Sequence, residues 1–155
     1  MRRIAIVMVL LGIAATLAQP ADAKPRGNFG LGIIVGEPTG IDMKWFLNEE
    51  NAIQAAVAWS TSSNNALHIQ ADYVFHFYEW IKVSKGLLPV YFGLGGRIAF
   101  KDNSDDSFGI RVPVGLDYEF AGGVFDVFGE LVPVLELTPD TDFDLEGAIG
   151  ARFWF

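Results

Sequence analysis

The sequence predicts an all-β protein, an eight-stranded antiparallel up-and-down transmembrane β-barrel with apolar residues outside and charges inside. Three observations carry this. From Asp142 to Phe155 the chain alternates without a slip. Odd positions are apolar or glycine (Phe143, Leu145, Gly147, Ile149, Ala151, Phe153, Phe155), and even positions hold every charge (Asp142, Asp144, Glu146, Arg152). One face of such a strand suits hydrocarbon and the other a polar interior. Second, seven further stretches alternate between turn residues. Third, hydrophobic residues make up 51% of the chain, yet beyond Leu17 no apolar run approaches the roughly 20 residues of a spanning helix. The apolar residues are therefore interleaved with polar ones, as in the strands of membrane barrels.

Residues 1–23 read as a cleaved export signal: Arg2 and Arg3, an uncharged apolar run from Ile4 to Leu17, then small residues ending in Ala21-Asp22-Ala23. Residues 24–155 are then the barrel, one domain. Cysteine is absent, which excludes disulfides and lipid attachment at the cleavage site. With 11 Lys and Arg against 19 Asp and Glu, net charge −8, the chain would be repelled by phosphate backbones, so nucleic acid is excluded.

Gly, Pro, Asn, Asp and Ser in the connections delimit strands near 28–36, 40–47, 52–60, 66–78, 88–100, 108–120, 124–137 and 142–155. Charges fix the inward parity. In the second strand Asp42 and Lys44 agree, leaving Ile41, Met43 and Trp45 outward. The fourth puts His68, Asp72 and His76 opposite Ile69, Tyr73, Phe75 and Phe77. The fifth has Arg97 opposite Phe92, Leu94, Ile98 and Phe100. In the sixth, Arg111, Asp117 and Glu119 agree; in the seventh, Asp126, Glu130 and Glu136 agree. Outward aromatics gather toward the two ends, Trp45, Phe77, Phe120, Phe125, Phe153 and Phe155 at one and Trp59, Phe100, Phe108 and Phe143 at the other. The first strand carries no charge, and its inward Gly30, Gly32 and Gly36 are expected to make room for Arg97 or Arg111. Pro89, Pro113 and Pro133 fall within strands, so a bulge or an early strand end is expected at each.

The interior of an eight-stranded barrel is just filled by side chains. Lys44, Asp72, Arg97, Arg111, Asp117, Glu130, Glu146 and Arg152 are therefore expected to form a structural polar network, not an open channel. No catalytic, cofactor or metal site is predicted. His68, Asp72 and His76 share a strand face, but spacings of four residues separate them by about 13 Å, beyond one ligand sphere. Ser60 with His68 is the one nucleophile–base pair that can be drawn. Asp102, Asn103, Ser104, Asp105 and Asp106 read as a solvated turn, because the glycine and terminal Glu of a calcium loop are missing. Lys82 and Lys85 beside Trp80 form a weak lipid-phosphate signal.

With strands, aromatic belts and a terminal Phe in place, residues 28–155 resemble the small eight-stranded outer-membrane barrels of Gram-negative bacteria, the class that includes the transmembrane domain of outer membrane protein A. Gly36-Glu37-Pro38-Thr39-Gly40 with Lys44-Trp45-Phe46-Leu47 looks like a stretch of barrels of this size. The closing Gly150-Ala151-Arg152-Phe153-Trp154-Phe155 is similar to the signal read by the barrel-assembly machinery, with Phe153 and Phe155 as its aromatic positions. The resemblance implies an outer-membrane location, lipid and lipopolysaccharide contacts, chaperones and assembly machinery as transient partners, and a monomer. A non-enzymatic, structural or surface-interacting role is the reading; a lipid A deacylase or acyltransferase and a soluble secreted ligand-binding barrel are the alternatives.

Overall fold

The computed structural model describes residues 27–60 and 66–155; the predicted export signal lies outside the described residues. Among the described residues nine strands form one antiparallel sheet: β1 (Phe29–Gly36), β2 (Thr39–Phe46), β3 (Asn51–Ser60), β4 (Ala66–Phe77), β5 (Val90–Phe100), β6 (Ser107–Arg111), β7 (Val114–Glu119), β8 (Phe125–Thr138) and β9 (Asp142–Trp154). Neighbours in sequence pair around the sheet, and β1 pairs with β9, so the ladder closes on itself. Closure removes the unpaired edges that would otherwise invite association.

The nine strands make eight staves. Gly95 faces Arg111 in β6 and Phe92 faces Val114 in β7, which is one uninterrupted register along β5. The same holds along β8, where Arg111 faces Val134 and Val114 faces Leu131. β6 and β7 are thus halves of one stave, interrupted at Val112-Pro113. Two absent proline donors meet at this level. Gly93 donates its N–H to the Pro113 carbonyl at 2.9 Å, and Val112 donates to the Pro133 carbonyl at 3.0 Å, but neither proline can return a bond.

Each proline thereby has a defined outcome. Pro113 splits its stave, as expected. Pro89 lies just ahead of β5, and its carbonyl accepts from Asp117 at 3.1 Å. Pro133 corrects the expectation: it sits inside an unbroken β8, opposite Leu145, with no bulge. The register shift falls instead between Phe108 and Gly109, which face Thr138 and Glu136 and leave Leu137 as the extra residue.

Face assignment follows the charge parity throughout. Arg97, Arg111 and Glu130 are buried inside, while Leu131, Leu94 and Phe143 are about 60% or more exposed on the outer wall. The inward glycines of the first strand face β2 and β9, not Arg97 or Arg111 as expected; those arginines stand opposite Gly109 and Gly95. Gly30 faces Trp154, whose ring would lie 3.1 Å from an added Cβ. Gly115 faces Tyr91, where an added Cβ would come within 2.5 Å of the ring. Gly150 faces Phe128 in the same manner. A bulky side chain that crosses the bore needs a neighbour without one, because the strands lie only about 4.8 Å apart.

Two substitutions test this packing. Gly115→Ala is expected to destabilise the detergent-folded protein by about 1–3 kcal/mol through overpacking against Tyr91. Leu131→Arg, at mid-strand on the outer wall, is expected to cost about 2–4 kcal/mol. Both are read from urea unfolding midpoints in lipid or detergent; unchanged midpoints would contradict the face assignment.

Candidate functional site

The two-residue period places Asp42 and Lys44, or Glu130 and Asp126, on one strand face, and the register then decides which staves meet. Inside the barrel the four inward cations and their acids form one connected network. Arg152 is its largest node. Its Nε donates to Asp42, one terminal nitrogen lies 3.3 Å from Asp117 and 3.5 Å from Asp126, and the other donates to Gln54 at 3.2 Å. Its guanidinium carbon sits 3.6 Å over the centroid of the Phe128 ring. Lys44 donates to the same Asp117 at 2.9 Å and lies 4.4 Å over the Tyr91 ring.

Gln54 links this half to the next by donating to Glu130 at 3.0 Å, and Tyr91 donates to the same carboxylate oxygen at 2.7 Å. Arg111 donates through Nε to Asp72 at 2.9 Å, donates to Gln70, and lies 3.5 Å from Glu130 and 3.7 Å from Glu146. Arg97 completes the series with donations to Glu146 and, at 2.6 Å, to Glu136. Lys44, Arg152 and Arg111 are essentially without solvent exposure. Burying a charge this deeply is tolerable only when partners replace its water, and shared carboxylates supply them here.

Cavities lie at the two ends. The one beside Asn28 measures about 860 Å³ and is lined by Glu49, Glu50, Trp80 and Glu119 among others. The opposite one measures about 470 Å³ and is lined by Glu37, Ser60, His68, Arg97 and Asp144 among others.

All eight residues expected in the lumen, Lys44, Asp72, Arg97, Arg111, Asp117, Glu130, Glu146 and Arg152, are buried inside and belong to this network. Glu136 and Asp144, also read as inward, lie at the mouth, half-buried and exposed respectively. His68, Asp72 and His76 go to three different levels. His76 donates through Nδ1 to the Glu50 carbonyl at 3.0 Å, which makes Nε2 an acceptor for Lys44 at 3.1 Å. Asp72 belongs to Arg111. His68 bonds neither of them. Ser60 donates to Glu37 at 2.6 Å and makes no bond to His68. Among the described residues no three His, Asp or Glu side chains converge on a metal-sized point, the Asp102–Asp106 turn included.

The neutral members were missed by a test built on charges alone. Gln54, Gln70 and Tyr91 share inward parity with Lys44-facing or Arg97-bearing positions, and that parity was a usable signal. Trp154 is the clearest case: its even position matches Arg152, and its indole donates to Asp126 at 2.7 Å.

The arrangement defines a class: a closed antiparallel barrel with an ionic interior and an apolar wall, the architecture of small outer-membrane barrels. No protein-family model matches the chain, and no curated protein matches it. Among solved structures it is similar to the crystal structure of the N-terminal β-barrel domain of Pseudomonas aeruginosa OprF, with a TM-score of 0.61 and 17% identity over 84% of this chain and 99% of that one. At that identity the likeness establishes the fold.

Arg152→Met would leave Asp42, Asp117 and Asp126 buried without their shared cation, and is expected to cost about 3–5 kcal/mol. Lys82→Ala removes a pair with Glu79 whose side chains are 78% and 84% exposed. Water already screens that pair, so the change should stay within about 0.5 kcal/mol. Comparing the two unfolding free energies checks whether the interior network or the surface pairs carry stability.

Proposed function

We propose that this chain is a non-enzymatic integral outer-membrane barrel with a plugged lumen and a structural or surface-interacting role. The observation that carries the reading is the inverted polarity: a wall of Leu94, Leu131, Ile149 and Phe143 around a bore filled by paired Lys44, Arg97, Arg111 and Arg152. Exposed apolar surface of this extent needs hydrocarbon around it. Acyl chains contact the wall, lipopolysaccharide the outward leaflet side, and the barrel works as a monomer. Phe153 and Phe155 serve as the aromatic positions read by the assembly machinery, with periplasmic chaperones guarding the unfolded chain before insertion.

The alternatives have less support. A lipid-modifying enzyme needs an activated nucleophile, and the Ser60 hydroxyl is directed to Glu37 instead of to His68. A soluble ligand-binding barrel needs the opposite face assignment. Four measurements test the proposal. The protein is expected in the outer-membrane fraction, with heat-dependent gel mobility. In planar bilayers it should give no steady conductance, because Arg152, Tyr91 and Arg111 obstruct the bore. The lipid A acyl pattern should be unchanged when the gene is removed. Soluble fractionation, open-channel currents or an altered acyl pattern would each overturn the corresponding part.

A further inference from the structure

The mouth opposite Asn28 carries chemistry that the plug does not use. Antiparallel staves bring the β1–β2, β5–β6 and β8–β9 connections to this end. The cavity of about 470 Å³ is lined by five acids, Glu37, Glu136, Asp142, Asp144 and Glu146, against Arg97 and Lys101. Arg97 is already shared by Glu136 and Glu146. Glu37 accepts only a neutral hydroxyl from Ser60, and Asp142 and Asp144 each accept the N–H of the following residue. These bonds orient the carboxylates without neutralising them. Asp102, Asp105, Asp106 and Asp140 extend the same sign across the adjoining connections.

An independent observation points to a ligand. His68 lines this cavity with only 4% of its surface exposed, and neither ring nitrogen has a partner among the described residues. A buried imidazole carries one acceptor when neutral, and buried polar groups are ordinarily satisfied. The acids do not converge on a point that would suit a metal ion. They are spread along the mouth instead. Carboxylates placed in series, without converging on one ion-sized point, match a molecule that carries its cationic groups in series.

We propose that this mouth binds a linear aliphatic polyamine, with one terminal ammonium donating to the His68 ring and Glu37 and the following ammonium groups on Asp142 and Asp144. The Arg97 guanidinium, held by two carboxylates, closes the floor, so the ligand is retained and not conducted. The proposal takes from the outer-membrane reading only that this mouth faces outward. Binding is measurable in detergent whatever the fractionation result.

The test is isothermal titration of spermidine into the full barrel folded in neutral detergent at low ionic strength, with folding verified by heat-dependent gel mobility. One site is expected. Affinity should fall at least tenfold in D142N/D144N and at least tenfold in H68A, and Mg²⁺ should compete only weakly. In the unsubstituted protein, spermidine should shift the His68 ring resonances in an NMR titration, a readout that does not depend on any variant folding. Absence of binding, equal displacement by Mg²⁺ at matched charge, unchanged affinity in folded H68A, or unmoved His68 resonances would each overturn the proposal.

Discussion

The interior of this barrel depends on cations that have more than one carboxylate partner each. A lone Arg–Asp pair would leave most guanidinium donors facing low-dielectric surroundings, and the loss of hydration would outweigh one bidentate contact. Arg152 avoids this by contacting Asp42, Asp117, Asp126 and Gln54 together. Arg111 and Arg97 share Glu146, and Arg111 and Gln54 share Glu130. Because partners are held in common, the network is continuous from Lys44 near one end to Glu136 at the other, and the staves are tied across the bore as well as along the ladder.

That constraint explains the placement of small and large residues. Guanidinium groups fill part of the bore but cannot fill all of it, and Tyr91, Trp154 and Phe128 complete it. Each crosses over a glycine on the neighbouring stave, Gly115, Gly30 or Gly150. The aromatic rings also interact with the cations, Phe128 beneath Arg152 and Tyr91 beneath Lys44, so the packing and the electrostatics share residues. The cost of this design falls on the split stave, where Pro113 and Pro133 remove ladder donors at adjacent levels. The register nonetheless runs on unbroken, because β5 and β8 hold both halves.

The two ends differ in what the network leaves over. Toward the Asn28 end Lys44 and Arg152 are matched by Asp117, Asp126 and Asp42, and His76 is satisfied by the Glu50 carbonyl and Lys44. At the other end Arg97 serves two acids, Glu37 accepts from Ser60, Asp142 and Asp144 accept backbone N–H groups, and neither His68 ring nitrogen has a partner among the described residues. The end beside Asn28 nonetheless holds the larger of the two cavities, about 860 Å³ against about 470 Å³.

The all-β class, the strand face that carries the apolar residues and the burial of most charged residues on the other face were legible in the alternation alone, because a strand has a strict period of two. Asp126, Glu130 and Glu136 agreed in parity before any neighbour was known. Which charge meets which was not legible, since partners such as Asp42 and Arg152 lie far apart in the chain and meet through strand register and the closure of β1 on β9. The same is true of the glycine partners, of the single stave made from β6 and β7, and of an unbroken β8 at Pro133. Those depend on what stands opposite each residue, and only closing the cylinder decides that.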